Sequence, residues 1–124
     1  MNLQGRVERL EQERQQRVDA IEARMFAVVR GTPGIEALAA MGAWGLLGAD
    51  PEPMDDGARS VCAMEPAAFY DLYAECVTVS LAAVTDEELA VCGYADRAVI
   101  LADLERYRAE MIAQIAECQA GAVA

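Results

Sequence analysis

Val7, Leu10, Val18, Ile21, Met25 and Val28 recur at three- and four-residue steps, with Arg14 standing in the stripe between Leu10 and Val18. A single apolar stripe on a surface otherwise made of Glu, Gln and Arg predicts an amphipathic helix from residue 3 to about residue 30. The extra four-residue step resembles a stutter in a heptad pattern. Glu13 with Arg17 and Glu11 with Arg14 add favourable pairs one turn apart. The first two turns are so polar that they are expected to extend beyond the globular body or to pair with another chain.

Gly31 then reads as a helix stop, and Thr32-Pro33 as an N-cap with proline at the first helical position. The next helix is expected to reach about Leu47. Along it Ala39, Ala40, Gly42, Ala43 and Gly45 leave the backbone nearly bare, whereas Leu38, Met41, Trp44 and Leu47 supply bulk. Two readings follow: another helix approaches closely, or residues 42–48 fray into a loop. Pro51 and Pro53 enforce a break. A short helix is expected over residues 55–63. Glu65-Pro66 starts a longer one, whose apolar period runs from Phe69 through Leu72, Tyr73, Cys76, Val77 and Leu81 to Val84. The β-branched run Val77-Thr78-Val79 lies inside that period and so reads as helix.

Thr85 and Glu88 have the spacing of a capping box, and Val84 and Leu89 that of a hydrophobic staple. Asp86 and Glu87 also suit the positive end of a helix dipole. Gly93 ends or kinks that helix. A last helix is expected from Asp96 to about Gln119, with Ile100, Leu104, Tyr107, Met111, Ile115 and Cys118 on one face, and residues 120–124 as a tail. Its step pattern matches most of the first stripe, so the two end helices are expected to pack antiparallel or each to pair with a symmetry mate.

The expected fold is all-α: one domain over residues 1–124, a compact bundle of four to five helices with long amphipathic first and last helices. A coiled-coil-like helix (1–30) precedes an acidic helical core (31–95) and a C-terminal helix (96–119). The apolar fraction of 55% is inflated by 25 alanines, which favour helices packed closely through small side chains. Many Ala and Arg with no Lys suggest a GC-rich coding bias. Size and composition are analogous to those of bacteriophage or mobile-element proteins. The apolar stretch at residues 35–49 is too short to span a bilayer and contains Glu36. With no apolar leader at the N-terminus, the expected location is the cytoplasm (or the virion or host cytoplasm for a phage protein).

Charge changes the picture. Residues 31–95 hold eleven acids and one arginine, Arg59; residues 1–30 hold six arginines and five acids, and residues 96–124 three and five, within a net charge of −11. Binding to nucleic-acid phosphates or an anionic membrane is disfavoured, because both want clustered cations. The acids Asp50, Glu52, Asp55, Asp56, Asp71 and Glu75 form the candidate acidic surface, since Glu65 and the Asp86-Glu87-Glu88 triplet already have roles at helix starts.

The chemistry sought is mostly not found. The chain has no histidine and no lysine, which removes Ser-His-Asp and Cys-His sites, Schiff-base lysines and the P-loop lysine. Cys62, Cys76, Cys92 and Cys118 lie 14, 16 and 26 residues apart, without the close pairs of a zinc site. They read as reduced, partly buried small hydrophobes. Aligning Gly57 with the glycine of an EF-hand loop puts Met54 and Ala63 at ligand positions, so no calcium loop is present. Gly42, Gly45 and Gly48 lack the spacing of a dinucleotide fingerprint.

The chain therefore reads as a non-enzymatic interaction or assembly protein (adaptor, assembly factor or small structural component) acting through helix–helix contacts. No cofactor, metal or small-molecule substrate is expected. The expected partner is protein, with homo-oligomerisation through a seam of Val7, Leu10, Val18, Ile21 and Met25, and Trp44 as an aromatic anchor. The alternative is an acidic inhibitor that mimics nucleic-acid phosphates and blocks a basic groove of a nucleic-acid-binding protein.

Overall fold

In the computed structural model, which describes residues 2–123, the first five helices each begin on a signal that can be traced to particular residues. Asn2 caps α1 (Leu3–Ala27), its side chain accepting from the Gly5 N–H at 2.7 Å. Proline at the first position opens α2 (Pro33–Ala43) and α4 (Pro66–Ala82). Asp55 caps α3 (Asp56–Val61) by accepting from the Ala58 N–H at 2.7 Å. Thr85 and Glu88 form the full capping box of α5 (Asp86–Val91), and both staple residues, Val84 and Leu89, are buried. Two further helices, α6 (Arg97–Arg106) and α7 (Arg108–Val123), follow one another with only Tyr107 between them.

The stops are equally local. At the end of α2 the Leu46 N–H bonds the Met41 carbonyl and the Gly45 N–H bonds that of Gly42, with Gly45 at φ +76°. At the end of α5 Tyr94 bonds Leu89 and Gly93 bonds Ala90, with Gly93 at φ +80°. Both are Schellman motifs, in which glycine takes the left-handed position without Cβ strain.

The main core lies where α2 crosses α4, with α3 and α7 completing it. Ala37, Ala40, Met41, Ala58, Val61, Phe69, Tyr70 and Ile115 are its buried residues. The helices meet most closely at Gly34, where an added Cβ would lie 2.9 Å from both the Cys76 Cβ and the Leu72 carbonyl oxygen. A second cluster joins Ile21 of α1 to Leu81, Val84 and Leu89, with Met25, Val77, Ile100 and Leu101 packed around it.

The all-α class is as expected, but the bundle has seven helices among the described residues rather than four to five. The two six-residue helices, α3 and α5, stand where short helices were expected, and the break at Tyr107 divides the expected last helix in two. The second helix ends at Ala43, not near Leu47, because the Schellman turn intervenes. Close approach and a glycine-rich loop therefore both occur, but the close approach is at Gly34 and the loop begins at Trp44. Residues 120–123, expected as a tail, continue α7, and Ala124 lies outside the described residues. The end helices do not form the main antiparallel pair; α1 packs on α4 and α5. No described helix is long and apolar enough to cross a membrane.

Candidate interaction surface

The stripe of α1 divides in two. Ile21 is buried, Met25 and Val18 are half-buried, and Ile21 and Met25 belong to the second core cluster. Leu3, Val7 and Leu10, in the same stripe, are 78, 45 and 64% exposed. Residues 6–17 are all exposed, so the first half of α1 stands off the body as an arm. The predicted seam is thus divided: Ile21 and Met25 pack within their own chain, whereas Val7 and Leu10 stay exposed, Leu10 beside a shallow cleft shared with Val91 of α5. Leu3 extends the free part of the stripe.

Electrostatics explains where the arm ends. Arg24 forms a two-bonded ion pair with Glu88, at 2.9 and 2.6 Å, while Glu88 also accepts from the Thr85 N–H at 2.9 Å. These bonds, led by that from Arg24, hold the Glu88 carboxyl at a pKa of about 2. Asp86 accepts from Arg97 at 3.2 Å, and Glu87 pairs loosely with Arg17 at 3.4 Å. Arg97 also donates to the carbonyls of Leu81 and Val84, closing the end of α4. The most acidic triplet of the chain therefore meets three arginines, two of them from α1, and fastens that helix to the α4–α5 corner.

A groove of about 610 Å³ lies beyond the other end of α1. Its walls are Phe26 and Arg30 at the end of α1, the outer face of α2 (Ile35, Leu38, Ala39, Gly42), and the loop carrying Leu47, Asp50, Glu52, Pro53 and Asp55. The helix α2 bears one charged residue, Glu36, and is otherwise apolar or small on all sides. Such a helix is normally covered all round. Its inner face at Gly34, Ala37, Ala40 and Met41 is buried, yet Leu38 is only half-buried and Ala39 is exposed.

The rim of this groove is acidic. Asp50, Glu52 and Asp55 are exposed, and the Glu36 carboxylate lies against Gly57, where an added Cβ would fall within 2.7 Å of both its oxygens. Arg30 is the only cation in the lining, its guanidinium 5.2 Å from the centre of the Phe26 ring.

The other candidate residues are dispersed. Asp56 pairs with Arg59 at 3.6 Å, and Asp71 accepts from Arg108 at 2.6 Å. Glu75 lines a separate cleft with Val29, Pro33 and Val79. The six acids thus do not share one groove. Trp44 is half-buried, its ring packed 5.3 Å from that of Phe69 at the edge of the main core. The thiols of Cys62, Cys76, Cys92 and Cys118 are free, and burial raises the pKa of each.

Sequence reasoning missed Phe26, Arg30, Glu36 and Leu38 as groove residues. One signal was present, the lack of a polar face on α2, but which side remained open depended on where α4 packs. No protein-family model, curated protein or solved structure matches the chain.

Proposed function

We propose that the protein is a non-catalytic assembly protein that associates with copies of itself through the α1 arm. The observation that carries this reading is the exposed stripe of Leu3, Val7 and Leu10, continuous with the positions that bury Ile21 and Met25. An isolated helix of this length is marginal in water, and tertiary packing normally supplies its stability. Beyond the loose Arg17–Glu87 pair at its base, the arm has only local support, such as Gln15 donating to Asp19 at 2.8 Å. A partner that covers the stripe stabilises it. The absence of histidine and lysine from the sequence, with thiols raised by burial, supports a binding rather than a catalytic role. Free thiols suit the reducing cytoplasm, the location that goes with this reading.

The phosphate-mimic alternative draws less support. Asp71 is engaged by Arg108, Asp56 faces Arg59, and Glu75 lies in another cleft, so a continuous row of carboxylates has few members left.

Light scattering tests the assembly reading. Wild-type protein is expected to run above monomer mass at micromolar concentration. Replacing Val7 and Leu10 together by Asp is expected to give monomer with the helical circular-dichroism signal kept. A monomeric wild type, or a double variant of unchanged mass, would overturn the reading.

A further inference from the structure

We propose that the arm's receptor is the acidic groove of a second copy, so that Leu3, Val7 and Leu10 of one chain insert between α2 and the loop after it in another. This rests on the assembly reading above and names the surface the arm meets. Three observations carry it.

The first is charge. At about 100° per residue, Arg14 falls within the apolar stripe and Arg6 within about 60° of it. Neither is in an ion pair among the described residues. The groove offers the complement, with Glu36, Asp50, Glu52 and Asp55 around an apolar floor. The fold already uses this chemistry internally, where Arg17 and Arg24 of α1 meet Glu87 and Glu88. Pairing two arms in parallel would instead bring Arg14 against its own copy in the seam, which weakens a coiled coil.

The second is size. The groove is an open trough of about 610 Å³ walled on one side by α2 and on the other by the loop after it, with room for apolar side chains to enter. The third is reach. Leu10 and Phe26 lie on one continuous helix, 16 residues or roughly 24 Å apart along its axis. The helix therefore holds the arm away from the groove of its own chain, so the occupant comes from another molecule, and the arm of a second copy carries the matching charge and apolar side chains. Arm-in-groove docking joins two different patches of the chain and is therefore a heterologous contact.

The test uses full-length variants in pairs. Ala39→Arg blocks the groove with a good helix former at an exposed position, and Val7→Asp with Leu10→Asp disables the arm. Each variant alone is expected to lose association at least about tenfold. Mixing the two is expected to restore a heterodimer, since one intact arm and one intact groove remain. A groove-blocked variant that associates like wild type overturns the groove proposal and leaves the assembly reading standing. An arm-disabled variant that still associates overturns both. Charge reversal gives a check that leaves α2 untouched: Arg6→Glu with Arg14→Glu, and Asp50→Arg with Glu52→Arg, should each weaken association about tenfold, and the two sets combined should recover it. Absence of that recovery counts against the proposed pairing.

Discussion

The hydroxyl of Tyr70 donates to the Leu104 carbonyl oxygen at 2.5 Å, and the last long helix breaks three residues later at Tyr107. In an unbroken helix that carbonyl takes the Arg108 N–H. A side chain inserted into the ladder is a recognised cause of a kink. The next residue of α4, Asp71, takes the Arg108 guanidinium at 2.6 Å, and that guanidinium lies 5.5 Å from the centre of the Tyr70 ring. Burial raises the Tyr70 pKa, which keeps the hydroxyl a donor.

Tyr70→Phe is accordingly expected to lower stability by about 0.5–1.5 kcal/mol in urea unfolding. The Leu104 carbonyl then returns to the helix ladder, so the Arg108 amide should exchange its hydrogen more slowly than in wild type. Unchanged exchange at Arg108 would mean that Tyr70 does not cause the break.

Glu88 sets an acid-dependent part of stability. Its folded-state pKa of about 2 is below the ordinary carboxylate value, chiefly through the bond from Arg24. A depressed carboxyl contributes fully above its unfolded pKa and loses that contribution as pH falls through the folded one. Thermal melts should show wild type well above Glu88→Gln at pH 7, with the gap narrowing between about pH 5 and pH 2. A gap independent of pH would exclude this role.

The glycines of α2 should respond in opposite directions. Gly34→Ala pushes a methyl against Cys76 and the Leu72 carbonyl, each at 2.9 Å, and is expected to cost about 1–3 kcal/mol. At Gly42 the nearest atom to an added Cβ is Leu47 Cδ1 at 3.9 Å. Gly42→Ala should therefore stabilise the protein by about 0.5–1 kcal/mol, from helix propensity alone. Denaturant midpoints of the two variants decide the matter.

The divided stripe predicts a divided mutational profile. Ile21→Ala empties a site that is 2% exposed and should cost about 2–5 kcal/mol. Leu10→Ala, at 64% exposure, should change the stability of the dilute monomer by no more than about 0.5 kcal/mol. Equal losses at the two positions would show that the arm packs on its own body.

What could be read from the chain alone was whatever is decided within a few residues. The Thr85–Glu88 box, the proline starts at Pro33 and Pro66, the glycine stop at Gly93 and the helical reading of Val77-Thr78-Val79 all depend on one turn of backbone or on local periodicity, whereas the first helix ends at Ala27, short of the expected stop at Gly31. The stripe from Val7 to Val28 was equally visible. Its division was not, because what covers Ile21 and leaves Leu10 bare is a corner formed by Leu81, Val84 and Leu89, some sixty residues or more away in sequence. The same holds for Arg24 with Glu88, Tyr70 with Leu104, and Gly34 with Cys76. Each joins residues whose spacing carries no periodic signal, and each exists only once α4 has been laid across α2 and turned into α5. Local hydrogen bonding thus determined the elements, while long-range packing decided which apolar surface was consumed by the fold and which was left for a partner.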